Sequence, residues 1–306
     1  MESSKPEIAH EFPFMIRVYK DGHVERLMGT DFVPTSTDAI TGVTSKDITI
    51  LSKSNTSNSI SARLYLPTKL TNQNQKLPLL VYFHGGSFCV NSPFTSKYHN
   101  YVNTLVSESN VVAISVNYRK APEHPIPDAY EDAWDVLQWV VSHCNNGGPE
   151  AWLNEHAGEA QFNGLKMGLL GVALVHPYFW GSVPIGSEAQ DPSGKASLDR
   201  LWPFVCPSAP DNDDPRANPV AEGAPSLAQL GCRRVLVCVA EKDVLRDRGW
   251  LYYEALGRSG WMGVVEIEET EGEDHVFHLN DLKCEKARDL IKGLAAFFNR
   301  DMPPMI

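Results

Sequence analysis

The run Leu77-Pro78-Leu79-Leu80-Val81-Tyr82-Phe83 constrains this chain most, because it is apolar at consecutive positions and is closed at once by His84-Gly85-Gly86. A strand with one wet face alternates apolar and polar residues. A strand apolar on both faces must be covered on both, which occurs chiefly in parallel sheets flanked by helices. The pattern returns at Val111-Val112-Ala113-Ile114-Ser115-Val116, at Leu170–Val175 and at Arg234–Val239, with a further strand expected around Val264–Glu268. Tyr98 to Ser107 fits a crossover helix, and Asp128 begins another with Trp134, Leu137, Val140 and Val141 on one face. Helices are also expected to start near Asp247 and Cys284. This alternation predicts an α/β fold, a mostly parallel sheet with helices on both faces.

Ahead of that region, Phe14 to Tyr19 reaches a Lys20-Asp21-Gly22 turn and resumes at Val24, while Ala62–Leu66 alternates, so antiparallel strands are expected there. No internal repeat or long linker interrupts the sequence, and residues 1–306 are expected to form a single domain with an N-terminal extension.

Charge narrows the partners. The chain carries 27 Lys and Arg against 38 Asp and Glu, a formal charge of -11, and phosphate backbones are bound by basic patches, so nucleic acid is an unexpected partner. The polar start Met1-Glu2-Ser3-Ser4-Lys5-Pro6-Glu7 lacks an apolar leader, and no stretch is long enough to span a bilayer; a cytoplasmic protein without a membrane partner is expected. Six cysteines (Cys89, Cys144, Cys206, Cys232, Cys238, Cys284) show no ligand spacing, which predicts buried thiols and neither a disulfide framework nor a metal site.

Three elements point to acyl chemistry. Glycines directly after a buried strand, in His84-Gly85-Gly86-Ser87, let successive backbone N–H groups converge on one point, as a developing oxyanion requires. Asp243 lies just past the Val235–Val239 strand, and His275 lies past the next one. In a parallel sheet these loops open at one edge, and an acid followed by a histidine on consecutive strand ends fits an orienting carboxylate and an imidazole base.

The segments Val81-Tyr82-Phe83-His84-Gly85-Gly86, Tyr118-Arg119-Lys120-Ala121-Pro122-Glu123-His124-Pro125, His176-Pro177-Tyr178-Phe179-Trp180-Gly181 and Gly272-Glu273-Asp274-His275-Val276-Phe277-His278 occur in order. Together they resemble the plant carboxylesterase family related to hormone-sensitive lipase. The resemblance runs from about Phe14 to Phe298. It implies an α/β-hydrolase fold and serine ester hydrolysis without metal or organic cofactor. Asp243 and His275 would be triad acid and base, and His84, Gly85, Gly86 and Ser87 the oxyanion loop. Ser87 stands where many relatives carry a third glycine. Trp180, Trp202 and Phe204 fall in the stretch that would wall the pocket, while His99, His124, His176 and His278 read as structural.

The nucleophile is the departure. The family carries a G-x-S-x-G elbow between the helix matching Asp128 to Ser142 and the strand matching Leu170 to Val175, and no serine here satisfies that pattern. The nearest, Gly257-Arg258-Ser259-Gly260, precedes the Val264 strand and so belongs to the opposite sheet edge. By the resemblance, about two dozen residues, one strand and most of a helix, are missing near Ala157-Gly158. The Leu170 strand must then move into the vacated position or leave an unpaired ladder inside the sheet. The expectation is a carboxylesterase scaffold, inactive as written, whose ligand is a small ester or related molecule. The alternatives are a noncatalytic small-molecule binder like the gibberellin receptors, which share the scaffold, and an esterase using Ser182 or Ser87.

Overall fold

The structure is a computed structural model that describes residues 7–51, 59–68, 76–143, 147–158 and 168–300. Its strands are β1 (Ile8–Phe12), β2 (Ile16–Tyr19), β3 (Val24–Arg26), β4 (Thr44–Leu51), β5 (Ser59–Leu66), β6 (Leu79–Phe83), β7 (Val112–Asn117), β8 (Val172–Val175), β9 (Arg234–Ala240) and β10 (Val264–Thr270). The helices are α1 (Ser96–Ser109), α2 (Asp128–His143), α3 (Ala151–His156), α4 (Pro192–Leu198), α5 (Leu201–Val205), α6 (Arg246–Arg258), α7 (Phe277–Asn280) and α8 (Glu285–Asn299).

The strands form three sheets. β1, β2 and β3 make a small antiparallel sheet; β4, β5, β7 and β6 lie side by side in that order; β10, β9 and β8 make a wholly parallel one. Within the four-stranded sheet β6 runs parallel to β7. β4, β5 and β7 are antiparallel neighbours.

Amphipathic helices cover these sheets. Ala287, Leu290, Ile291, Leu294 and Phe297 recur at helical spacing in α8 and are all buried. One apolar cluster, built on α1 and α8, gathers Ala113 from β7 and Leu236, Cys238 and Ala240 from β9, so it underlies both large sheets. On the opposite face the core is divided: Val112, Ile114 and Val116 join one cluster, and Val235, Val237 and Val239 pack with Tyr252 and Leu256 of α6 in another. Gly249 permits the close approach of α6, since a Cβ there would lie 2.5 Å from Val239 Cγ1.

The expected single sheet is therefore split between β6 and β8. The Leu170 strand, observed as β8, has not moved beside β6; among the described residues β6 pairs only with β7, and β8 only with β9. Burial records the difference. β9 is buried throughout, and β7 up to its last residue, whereas β8 is half-buried and Phe83 at the end of β6 is 38% exposed. The apolar run at Leu79–Phe83 thus forms the predicted strand without the predicted full burial, and among the described residues it is paired as a strand on one edge only. Just before its start the other edge is paired: Leu77 forms a parallel bridge with Ala157, the Leu77 N–H donates to His156 O at 2.8 Å, and the Gly158 N–H donates to Leu77 O at 2.7 Å.

Candidate active site

The turn after β9 carries Asp243, and the longer loop after β10 carries His275. The loops are laced together: Lys242 N–H donates to Glu273 O at 2.8 Å, Glu241 N–H to Thr270 O at 3.1 Å, and Gly272 N–H to the Glu241 carboxylate at 2.6 Å. This brings His275 Nδ1 to 2.7 Å from Asp243 Oδ2. Asp243 is 2% exposed and also accepts the Leu245 N–H at 2.9 Å. Burial alone would raise its pKa, but the hydrogen bonds and the histidine charge beside it outweigh that, and its carboxyl is held below the usual range. Donation from Nδ1 leaves Nε2 of His275 as the basic nitrogen, on a side chain that is 44% exposed.

Sequence reasoning missed one member of this group. His176, directly after β8, has left-handed backbone (φ 49°), and its Nδ1 accepts the Val276 N–H at 3.0 Å while lying 3.4 Å from Asp243 Oδ2. His176 Nδ1 thus sits between the Val276 amide and the Asp243 carboxylate, and its contact is among the causes that hold that carboxyl down. The available signal was position: a histidine ending a buried strand at the edge that carries Asp243 and His275. His176, Asp243 and His275 place ligand-type atoms within 4.8 Å of one another. Among these atoms His275 Nδ1 is bonded to Asp243 at 2.7 Å and His176 Nδ1 accepts the Val276 amide.

The glycine loop leaves β6 through His84. Its Nδ1–H donates to Gly85 O at 2.7 Å, its ring stacks on Tyr118 at 4.4 Å, and Tyr118 Oη donates to His84 O at 2.6 Å. Burial pushes the His84 pKa down to about 3, so the ring is neutral. Gly86 has φ 121°, and a Cβ there would meet Val90 O at 2.3 Å, so only glycine fits. Its carbonyl accepts from both Cys89 and Val90 N–H. The amides of Gly86 and Ser87 donate to no described residue.

Helix α1 ties the two sides of the site together. Tyr98 packs on His84 at 5.4 Å between ring centroids, and one turn on Tyr101 packs on His278 at 5.1 Å, which in turn lies 5.2 Å from His176. The C-terminal ends of β6 and β8 thus share one side of the molecule.

No described hydroxyl lies within hydrogen-bond distance of His275. Ser182 is exposed beyond β8, its N–H donating to Asp213 Oδ1 at 3.1 Å. Ser87 is half-buried in the glycine loop with left-handed backbone (φ 53°) and makes no bond to the imidazole. Ser259 closes α6 by donating to Leu256 O, as its place before β10 implied. Residues 159–167, outside the described residues, include no serine, threonine or cysteine. Trp180 and Trp202 are fully buried core residues, and Phe204 packs against Phe12. Arg119 pairs with Asp128 and Asp132, and His124 faces Asp128, so both brace the α2 entry. Of the five described cysteines, all free, four are buried and Cys284 is half-buried at the start of α8.

A sequence model of the family described as "alpha/beta hydrolase fold" matches residues 80–171 and, separately, 156–279; another, "Carboxylesterase family", matches residues 35–122. Probable carboxylesterase 2 of Arabidopsis thaliana is 43% identical over 321 residues, covering 98% of this chain and 99% of that protein. A 2-hydroxyisoflavanone dehydratase of Glycyrrhiza echinata is 45% identical over 324 residues, covering 96% and 97%. Among solved structures, a hyperthermophilic esterase of the archaeon Pyrobaculum calidifontis matches with a TM-score of 0.65 and 28% identity, covering 83% of this chain and 84% of that one. Both aligned lengths, 321 and 324, exceed the 306 residues present here, and the two family matches divide around residues 156–171.

Proposed function

The chain belongs to the plant carboxylesterase family, with its α/β-hydrolase fold, and from that premise we propose that it is a member silent in ester hydrolysis. In an active site of this design, His275 Nε2 takes a hydroxyl proton as the oxygen attacks the ester carbonyl, and the amides of the Gly85-Gly86-Ser87 turn hold the oxyanion. Asp243 would serve as the orienting acid and His275 as the base, beside the glycine turn; the 2.7 Å bond between them supports these roles. The observation that carries the reading is that no described hydroxyl lies within reach of His275, where the attacking atom belongs. The break between β6 and β8, and the relatives' surplus residues, support the loss of the elbow rather than its relocation. The ligand is proposed to be a small carboxylic ester or a molecule of that shape, with no nucleic-acid or membrane partner, and the compartment the cytoplasm. The charge of -11 supports the first exclusion, and no described helix is long and apolar enough to cross a membrane.

Purified protein should show no turnover of p-nitrophenyl acetate above buffer, and no covalent label from a serine-directed phosphonate. Turnover abolished by the label overturns the reading, and the labelled peptide names the nucleophile.

The dehydratase relative favours a second reading. Loss of water from a β-hydroxy carbonyl compound needs a base for the C–H proton, stabilisation of the enolate oxygen and departure of hydroxide as water, but no covalent nucleophile. His275 and the glycine turn supply the first two. Incubation with 2-hydroxyisoflavanone tests it: product that forms with this chain and not with His275→Ala supports elimination.

A further inference from the structure

We propose that His176, Asp243 and His275 form a binding site for one divalent transition-metal ion of the zinc class, held by two imidazole nitrogens and one carboxylate oxygen. One ligand atom from each of the three residues lies within 4.8 Å of the other two. His275 Nδ1 is 2.7 Å and His176 Nδ1 3.4 Å from Asp243 Oδ2. Ligand atoms about 2.0–2.2 Å from a tetrahedral zinc ion stand about 3.3 Å apart, so these two separations bracket what the ion requires. His275, with its side chain 44% exposed, can turn toward His176 to close the third side.

Charge favours a cation here. The Asp243 carboxyl is held below the usual range despite its burial, and among the described residues no Lys or Arg pairs with it. Its partners are the two imidazoles and the Leu245 amide. His278, whose ring lies 5.2 Å from His176, adds no positive charge, since burial pushes its pKa down to about 3, and its buried Nδ1 has no hydrogen-bond partner. A buried carboxylate surrounded in this way gains from a cation, because an uncompensated buried charge is costly.

The donor set selects the class of ion. Imidazole nitrogens suit zinc and its neighbours, whereas calcium and magnesium take oxygen ligands. Two histidines and one carboxylate leave a further position for water, the pattern of an open zinc site. The exposed His275 gives the ion its path from solvent, while His176 and Asp243 are buried. Binding uses the Nδ1 lone pair of His275, so the Nδ1 proton leaves to solvent and Nε2 takes one up; the imidazole stays neutral and no net proton is released. At His176 Nδ1 the competitor is the Val276 N–H, which donates there at 3.0 Å and must give way.

The intact chain, freed of metal by a chelator, is titrated with Co2+, whose visible absorption reports coordination by protein nitrogens, and then with Zn2+ against a chromophoric chelator. A single ion per chain is expected to bind, with zinc displacing the cobalt band. Asp243→Asn, His176→Ala and His275→Ala should each weaken zinc binding about a hundredfold or more, since loss of partners outside the ligand shell alone costs about 10–100-fold. His124→Ala, at an exposed histidine facing Asp128, should not weaken it. His275 is exposed enough to be replaced without opening the core, so its variant decides the matter even if the buried substitutions do not fold. No cobalt band, binding that His275→Ala leaves unchanged, or binding lost equally in His124→Ala overturns the proposal. Binding that survives in folded His176→Ala but not in His275→Ala overturns it in favour of an adventitious surface pair. The inference does not rest on the silent-esterase reading, and p-nitrophenyl acetate turnover in chelator separates the two: turnover there defeats that reading alone, whereas no turnover with no metal uptake defeats only this inference.

Discussion

The loops after β9 and β10 and the loop after β6 carry opposite halves of the proposed acyl-transfer site, and they stand in different conditions. The half proposed for acid–base work is tightly held: Asp243 is 2% exposed, bonded to His275 at 2.7 Å, and its two loops are joined by backbone hydrogen bonds. The half proposed for attack keeps its tight glycine turn, yet among the described residues it borders a strand paired on one edge only and has no hydroxyl bonded to the imidazole. The first half depends only on the neighbouring strands β9 and β10. The second depends on what lies between β6 and β8. On the proposed reading, loss of one internal segment would remove the nucleophile without disturbing the pair that would have activated it.

The largest expected effect tests whether the gap is open. Leu236→Ala, in the fully buried β9, should cost about 4 kcal/mol in denaturant unfolding, and Leu174→Ala, in half-buried β8, about 1–2 kcal/mol. Equal costs would mean that β8 is covered. Gly86→Ala should cost about 3 kcal/mol, since it combines a left-handed backbone with a Cβ driven to 2.3 Å from Val90 O. A thermal shift near zero would show that the turn is relaxed.

Acid should weaken both halves alike. Burial holds His84 and His278 neutral with pKa values down at about 3, against 6.5 unfolded, so the unfolded chain binds protons first. Stability is then full above about pH 6.5 and falls as the pH drops toward 3, by about 2 kcal/mol per histidine at pH 5. His84→Phe and His278→Phe should each flatten that slope in chemical unfolding at pH 5 and 7; an unchanged slope would place the rings in water. Asp243, whose pKa is depressed, adds stability that is present above about pH 4 and lost below it. The smallest expected effect is the sharpest: His275→Ala should leave p-nitrophenyl acetate turnover at the level of the unsubstituted chain. A decrease would reveal a nucleophile that this imidazole serves.

Much of this was legible along the chain. The unbroken apolar runs located β6 to β9, because consecutive apolar residues bounded by glycine admit few structures other than an interior strand. The order of Asp243 and His275 after successive strands anticipated their contact. β4 at Thr44–Leu51 was not read, since Thr-Ser-Lys-Asp-Ile-Thr-Ile-Leu carries enough polar residues to pass for loop, and its pairing with β5 is what makes it a strand. His176 escaped for a similar reason: its place against Asp243 comes from the fold of β8 against β9, across 67 residues of sequence separation. Full burial of Leu79–Phe83 was expected and did not materialise, because apolar character states what a strand requires on each side and not whether the neighbour exists.

The sequence by itself determined which segments become interior strands, which residue types flank the site, and that no serine satisfies the G-x-S-x-G pattern, because these follow from local pattern and residue chemistry. Only the tertiary structure decided that β8 pairs with β9 and, among the described residues, not with β6, and that His176 packs against Asp243. Those outcomes turn on which distant segments pair and pack, a competition among long-range contacts that no local pattern encodes.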